Sequence, residues 1–424
     1  MKSLSFATLF AALSGFVVLW VASWSLDAET QMPLFQAYWS LFFASAGFID
    51  GITQETTRAV ASARERGVRG SANPWRLAGF AAAAVATVTL AAGAVAMAHF
   101  VPPSPALATG LLVFGLASYV FQAVLSGILS GANLWNQYAG LVALDSGIRL
   151  VLAGVAWAAG WGLPAFLAIT VIGAASWVAI LAASKQARGQ IRAALDVDRP
   201  TFVRRVLSAV LATGASALLI TGFPAMTTAA FAAGDGTTAG TGAAVAAINQ
   251  AVLLTRAPVL VPLQRFQSAL VVRFVEQRDR IYSSLAVRIG TILSVGAVGF
   301  VAAWLVGPWI LRVFFPPELF VPGLPLGLLT FASALMGALI ITGTAVLALE
   351  QHAWYVAGWV TGAVVAFGLL FALPVALGIG VTETVIVALT VGPLAGAAVH
   401  LASLAGGART ARGATSTAAT QHTN

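Results

Sequence analysis

The chain has 424 residues, of which 59% are hydrophobic and only 8% are charged. A water-soluble domain of this length could not bury so much apolar surface, so the composition excludes that class. The absence of cysteine excludes disulfides, thiolate metal sites and cysteine nucleophiles. The net charge of +8 does not indicate a nucleic-acid partner, because the basic residues lie in segments between apolar runs.

Apolar runs of about 20 residues, the length that crosses about 30 Å of hydrocarbon, recur along the whole chain. They predict an all-α polytopic membrane protein with about twelve transmembrane helices. Proline and glycine separate the runs, and Pro224 inside the seventh predicts a bend. The predicted spans are 4–25, 34–55, 77–100, 107–131, 138–160, 164–184, 206–231, 239–262, 286–310, 324–349, 354–376 and 384–406.

The basic residues predict the orientation of these spans. If the N-terminus is cytoplasmic, all of the 22 lysines and arginines except Arg149 and Arg312 fall on the inner side. Cytoplasmic loops of membrane proteins carry this excess of positive charge. The acidic residues Asp27, Glu29 and Asp235 fall in outer loops. We therefore expect a multi-pass protein of the cytoplasmic membrane with both termini inside.

A basic linker divides the predicted spans into six and six. The expected organisation is an N-terminal lobe over 1–190, the linker at 191–205, a C-terminal lobe over 206–408 and a disordered cytoplasmic tail at 409–424. A short repeated motif supports two related halves, because Thr-Arg-Ala occurs at residues 57–59 and again at 255–257. Parallel repeats of this kind are a known plan for transporters.

Asp145 and Arg149 lie in the middle of the fifth predicted span, one helical turn apart on one face. A charge inside a span costs roughly 2.5–3.5 kcal/mol on insertion, so charges there usually face the helical bundle or a watery cavity. Two interpretations stay open. The pair is either a neutralised structural contact, or Arg149 lines a cavity and binds an anionic headgroup.

Asp50, Gln54 and Arg58 in the second span follow one another at intervals of four and share a helical face, whereas Glu55 lies off that face. Arg58 and Glu55 fit side chains that reach the cytoplasmic boundary. Asp50 lies deeper, which makes it a candidate cavity residue or proton-coupling carboxylate.

Asn249, Gln250 and Arg256 form the third polar group, in the eighth span. Asn249 and Arg256 are seven residues apart and share a face. The amides are either interhelical hydrogen-bonding groups or cavity residues.

The sequence contains no pattern typical of an enzyme. The four histidines have no metal-ligand spacing, and neither a Ser/His/Asp set nor a Walker loop occurs. We therefore expect no catalytic activity and no cofactor.

Three segments resemble a known family. Residues 35–61, "FQAYWSLFFASAGFIDGITQETTRAVA", are similar to a second span with a glycine and a terminal arginine. Residues 125–154, "LSGILSGANLWNQYAGLVALDSGIRLVLAG", resemble a fourth and fifth span with a short polar link. Residues 256–279, "RAPVLVPLQRFQSALVVRFVEQRD", resemble the segment after an eighth span. The family is the multidrug/oligosaccharidyl-lipid/polysaccharide (MOP) flippase superfamily, and the branch is the polysaccharide biosynthesis, O-antigen flippase-like branch.

The resemblance implies that a lipid-linked saccharide, carried on a polyprenyl diphosphate, moves across the membrane by alternating access for cell-surface polysaccharide biosynthesis. It implies that the two six-helix lobes surround a central cavity, which is lined mainly by spans 1, 2, 7 and 8. Asp50, Gln54, Asn249 and Arg256 would then lie near the substrate path. The expected partners are this substrate, membrane lipids and the glycosyltransferases or polymerase of the same pathway.

The main alternative is a cation-coupled multidrug exporter of the MATE branch, in which Asp50 or Asp145 would carry the coupling cation. A major facilitator transporter is disfavoured because the loop after the second span lacks G-x-x-x-D-R. A membrane glycosyltransferase is disfavoured because every outer loop is short.

Overall fold

In a computed structural model, residues 2–232, 240–277 and 280–421 are described, and they form an all-α protein. The helices of the N-terminal part are α1 (Lys2–Ser25), α2 (Met32–Arg66), α3 (Pro74–Phe100), α4 (Pro105–Gly131), α5 (Trp135–Ala158), α6 (Leu163–Ile172), α7 (Ser176–Ala183), α8 (Lys185–Gly189), α9 (Arg199–Thr221) and α10 (Phe223–Ala232). The later helices are α11 (Thr241–Glu276), α12 (Ile281–Phe314), α13 (Gly323–Ala348), α14 (His352–Leu377) and α15 (Val381–Gln421).

Local sequence explains where many helices begin and end. Proline occupies the first turn of α2, α3, α4, α6 and α9, where its missing N–H is not needed. The side chain of Asn73 caps α3 by accepting hydrogen bonds from the backbone N–H groups of Trp75 and Arg76. Gly67 and Gly378 end α2 and α14 with φ of 65° and 64°, a backbone conformation that glycine adopts at little cost.

Every predicted span corresponds to a helix or a pair of helices, and eleven helical segments within the described residues are long and apolar enough to cross a membrane. The second predicted span is not among these eleven, because the apolar part of α2 also contains polar residues such as Gln36 and Ser40. The sixth span consists of α6 and α7 joined by a 3-10 turn at Gly173–Ala175. The seventh consists of α9 and α10, which are separated at Gly222, close to the bend predicted at Pro224.

The structure divides into two compact units, Met1–Ala246 and Ala247–Asn424. In the first unit, α2 packs along α4 and α9, α1 packs along α5, and α3 packs along α4. The approach of α2 to α9 is close, since a Cβ on Gly51 would lie 2.3 Å from the backbone nitrogen of Val210. In the second unit, α12 packs along α13, and α15 packs along both α13 and α14.

The unit boundary lies within α11, whereas the sequence places the division at the linker 191–205. The difference arises because α9 packs along α2 and so joins the first unit. The division into lobes 1–190 and 206–408 stays a prediction.

Helix α15 is described as far as Gln421. The disordered cytoplasmic tail over 409–424 stays a prediction. Residues 422–424 lie outside the described residues, as does the predicted outer-loop residue Asp235.

The loop between α1 and α2 caps the start of α11. The carboxylate of Glu29 accepts hydrogen bonds from the backbone N–H groups of Gly240, Gly242 and Ala243, at 3.0, 3.2 and 2.8 Å. The bond from Ala243 contributes most to a pKa of Glu29 below its ordinary value. A negative charge at a helix N-terminus is electrostatically favourable. This contact fixes the first turn of α11 against the α1–α2 loop within the first unit.

Candidate functional site: a polar chain inside the first unit

Asp50 is partly buried on α2 and accepts a hydrogen bond from the Tyr119 hydroxyl of α4, with an oxygen–oxygen distance of 2.9 Å. The surrounding part of α2 is apolar, with Ile49 and Ile52 buried on either side. A phenol donating to a carboxylate satisfies both groups where water is scarce. The deep carboxylate predicted from sequence therefore has a defined partner on another helix.

Asp145 and Arg149 form the ion pair that their spacing predicts. The Arg149 Nη1 atom lies 2.5 Å from Oδ2 of Asp145. Gln122 on α4 donates to the other carboxylate oxygen at 3.1 Å. Arg149 Nε donates to the backbone carbonyl of Thr170 on α6 at 3.0 Å. The pair thus ties α5 to α4 and α6.

Tyr119 and Gln122 are three residues apart on α4, and this spacing connects the two acidic positions. Tyr119 donates a hydrogen bond to Asp50 of α2, and Gln122 donates one to Asp145 of α5. The result is one polar chain that runs from α2 through α4 to α5 and ends at Arg149. It links four helices, because Arg149 also donates a hydrogen bond to α6.

The guanidinium of Arg149 is enclosed. Only 4% of the residue is exposed, and its Cζ lies 5.8 and 5.2 Å from the ring centroids of Phe42 and Phe43. A Cβ on Gly173 would come within 2.6 Å of that Cζ, so glycine in the turn after α6 leaves room for the side chain. Of the two interpretations that the sequence left open, these contacts match the neutralised structural pair. Anion binding by Arg149 stays a prediction.

Gln54 and Arg58 are not part of the polar chain that contains Asp50. Gln54 is exposed. Arg58 pairs with Glu55, the residue that sequence placed off the polar face, at 2.6 Å, and with Asp196 at 3.0 Å. Arg66 also contacts Asp196. These ion pairs connect the C-terminal end of α2 to the segment before α9.

The remaining predicted residues, Asn249, Gln250 and Arg256, lie on α11 in the second unit. Both amide residues are fully buried, and Arg256 is 7% exposed. These three polar side chains are therefore buried, and the choice between interhelical hydrogen-bonding groups and cavity residues stays open. Their proximity to a substrate path stays a prediction.

Sequence reasoning missed Tyr119, Gln122, Glu55 and Asp196. Tyr119 and Gln122 had a detectable signal, because they are polar side chains three residues apart within a predicted span, and such residues commonly bridge helices. Asp196 had a weaker one, because its partner Arg58 lies far along the chain. Glu55 lies one turn from Arg58, but the sequence assigned it to the cytoplasmic boundary and not to this ion pair.

Comparison with known proteins places this arrangement in context. No protein-family model matches the chain. The Mycobacterium tuberculosis (strain ATCC 25618 / H37Rv) uncharacterized protein Rv3630 is 36% identical over 397 residues, which cover 93% of this chain and 89% of the relative. The chain belongs to the same family. The uncharacterized protein Mb3654 of Mycobacterium bovis (strain ATCC BAA-935 / AF2122/97) is also 36% identical, over 402 residues that cover 94% of this chain and 90% of Mb3654.

Solved structures show the fold of this family member. A multidrug resistance MATE family transporter of the MOP superfamily, in an inward-facing conformation, matches with a TM-score of 0.71 at 14% identity, covering 93% of this chain and 95% of that one. The lipid II flippase MurJ, in an inward closed conformation, matches with a TM-score of 0.65 at 13% identity, covering 95% and 87%. The predicted all-α polytopic fold is confirmed, and it is the fold of the MOP superfamily.

Proposed function

We propose that this protein is a membrane transporter that moves an anionic lipid-linked saccharide, carried on a polyprenyl diphosphate, across the cytoplasmic membrane by alternating access. In this proposal the product leaves on the outer leaflet and is used by glycosyltransferases or a polymerase of cell-surface polysaccharide biosynthesis. The same fold occurs in a lipid II flippase, which supports a lipid-borne substrate.

The observation that carries the proposal is the buried guanidinium of Arg256. It lies on a helical segment, Thr241–Leu260, that is apolar enough to span a membrane. An ionisable residue at such a position is costly and is by default a candidate for a substrate pathway. Asn249 and Gln250 add buried hydrogen-bonding capacity on the same helix. Guanidinium and amide groups can replace the water that a diphosphate-sugar headgroup loses on entry.

Arg149 contributes less to this proposal than Arg256. Its positive charge is compensated by Asp145 within the same helix. An internally neutralised pair attracts a diphosphate only weakly, because the carboxylate repels it. In this proposal the main anion-binding role belongs to α11, where Arg256 is buried on the same helix as Asn249 and Gln250.

A cation-coupled multidrug exporter is the second candidate, and the Asp50–Tyr119 contact favours it. A carboxylate held in a span by a neutral phenol could bind a proton or a cation during transport. The similarity to MATE transporters is at the level of fold and is compatible with both candidates.

A leaflet-access assay in proteoliposomes distinguishes the candidates. A fluorescent polyprenyl-diphosphate saccharide is placed in both leaflets, and an impermeant quencher reports the fraction that becomes accessible from outside. The flippase proposal expects wild-type vesicles to approach full accessibility, Arg256→Ala to resemble empty vesicles, and Arg256→Lys to retain part of the activity. The exposed Arg205→Ala is the matched control and should behave as wild type.

The exporter proposal expects the opposite pattern. Saccharide accessibility would stay at the level of empty vesicles. Efflux of an organic cation such as ethidium would depend on a pH gradient and on Asp50. That pair of results would reject the flippase.

A further inference from the structure

We propose that the cleft between the first turns of α3 and α9 binds an anionic phospholipid, with its phosphate on Arg76 and Arg199 and an acyl chain lying against Phe80. The cleft has a volume of about 270 Å³. It lies at the end of the helices that the arginine bias predicts to be cytoplasmic. Neither the polar chain around Asp50 nor the α11 residues belong to it.

The charges of the cleft fit a phosphate. Arg76 and Arg199 line it, and its lining includes no carboxylate. Within the described residues, neither arginine takes part in an ion pair. Asp196, a nearby carboxylate, is only 1% exposed at its side chain and is already paired with Arg58 and Arg66.

A second cavity of about 480 Å³ adjoins the cleft and adds to the positive charge. The two cavities share the lining residues Ser71, Ala72 and Asn73, and the second is also lined by Arg69 and Arg192. Basic pockets between transmembrane helices on the cytoplasmic side are a recurrent setting for acidic lipid headgroups.

The apolar part of the cleft continues along both helices, which is what an acyl chain requires. On α9, Val203, Leu207 and Leu211 follow Arg199 at intervals of four, so all lie on one helical face. Leu207 and Leu211 are exposed. From residue 199 to 211 this face extends about 18 Å at 1.5 Å per residue, comparable to one leaflet of hydrocarbon.

A matching apolar face follows Arg76 on α3. Phe80, Ala84 and Val88 repeat at intervals of four, and all three are exposed. Phe80 is 60% exposed and Val88 is 68% exposed. The guanidinium of Arg199 lies over the Phe80 ring, 5.5 Å from its centroid. The arginine of α9 therefore contacts the first residue of the apolar face of α3. Each helix thus presents an arginine followed by an apolar stripe.

The spacing between the two arginines is fixed by a short backbone pairing. The Gly70 N–H donates to the Leu195 carbonyl at 2.6 Å, and the Ala72 N–H donates to the Val197 carbonyl at 3.2 Å. A Cβ on Gly70 would lie 2.1 Å from the Val197 oxygen, so the pairing requires glycine. Because the site is pre-organised, little ordering cost is expected on binding.

A free phosphate offers the same headgroup chemistry, and the experiment separates the two sources. Full-length protein in detergent is titrated with dioctanoyl phosphatidylglycerol, dioctanoyl phosphatidylcholine and inorganic phosphate, and binding is measured by native mass spectrometry. We expect phosphatidylglycerol to bind more tightly than the other two. Phe80→Ala should weaken phosphatidylglycerol binding and leave phosphate binding unchanged.

The decisive comparison uses two double variants that remove the same charge. Arg76→Ala/Arg199→Ala should weaken phosphatidylglycerol binding about 25-fold, since each arginine near a membrane surface contributes about fivefold. Arg204→Ala/Arg205→Ala removes two exposed arginines of α9 that do not line the cleft, and it should change binding by less than about twofold. All four positions are exposed, so folding should be retained, which the elution volume on size exclusion checks.

Two results would overturn the proposal. Equal losses in both double variants would mean that only the overall charge matters. Phosphate and phosphatidylglycerol binding with equal affinity would mean that the cleft is a free-anion site without a lipid role. Saccharide transport is not measured, so either result leaves the proposed function to its own test.

Discussion

Tyr119 and Gln122, three residues apart on α4, hold Asp50 and Asp145 on two different neighbouring helices, at 2.9 and 3.1 Å. One helical turn of α4 thus connects α2 with α5, and the ion pair of Asp145 with Arg149 extends the connection to α6. This chain of contacts decides how the polar groups of the first unit should respond to substitution.

Replacing Arg149 alone with methionine should strongly destabilise the protein. The change leaves Asp145 in a largely buried site without its cation, and breaking a buried pair in this way costs about 3–5 kcal/mol. The double variant Asp145→Leu/Arg149→Met should recover most of the loss, because no charge stays buried. Thermal unfolding in detergent, followed by size exclusion, measures both.

The same double variant tests whether Arg149 acts in transport. If it folds and still moves the lipid-linked saccharide, the pair is structural, as its contacts indicate. If it folds as wild type but transport stops, Arg149 has the anion-binding role that the sequence suggested.

Removing the Tyr119 hydroxyl should have a smaller effect on stability. Tyr119→Phe deprives Asp50 of its hydrogen-bond donor, and an unsatisfied buried polar group costs about 1–3 kcal/mol. Asp50→Asn keeps an oxygen that can accept from Tyr119, so it should be closer to wild type in stability. Denaturant midpoints of the two variants, measured in parallel, check this order, and the reverse order would contradict it.

The contact of Asp196 with Arg58 and Arg66 should be lost in acid. Burial raises the pKa of Asp196, but hydrogen bonds from Arg58 and Ser62 and the charges of both arginines outweigh it, so the pKa lies below the ordinary 3.8. A carboxyl group whose pKa is lowered by folding stabilises the protein above its unfolded pKa. This stabilisation is therefore fully present above pH 3.8 and declines as the pH falls below that value.

Asp196→Asn provides the test. At pH 6 the variant should unfold at a lower temperature than wild type, and the difference should shrink as the pH falls below 3.8. Asp198→Asn is the control, since Asp198 is exposed and its side chain does not cap α9. A difference for Asp196→Asn that is independent of pH would show that the ionised carboxylate is not its source.

The close approach of α2 and α9 should not tolerate a side chain at Gly51. Gly51→Val would place atoms where the backbone of Val210 lies, with Cβ only 2.3 Å from its nitrogen. Overpacking of this kind costs about 1–3 kcal/mol, and more where backbone must move. Gly79→Ala, on a helix where nothing lies within 4 Å, should be neutral or slightly stabilising. Thermal unfolding of both variants gives the comparison.

Composition and span length were sufficient to predict the class of fold, because the cost of burying polar backbone in lipid leaves helices as the way for apolar runs of this length to cross. The Asp145–Arg149 pair also followed from sequence, since its geometry depends only on residues one turn apart on the same helix.

Tertiary structure alone decided that Asp50 contacts Tyr119 and that Arg58 contacts Asp196, because these contacts depend on which faces of α2, α4 and the segment before α9 meet. The sequence placed Asp50, Gln54 and Arg58 together on one face. In the structure, Asp50 accepts a hydrogen bond from Tyr119, and Gln54 is exposed. Arg58 forms ion pairs with Glu55 and Asp196. Helical periodicity determines which side chains share a face, and only packing between helices determines what that face contacts.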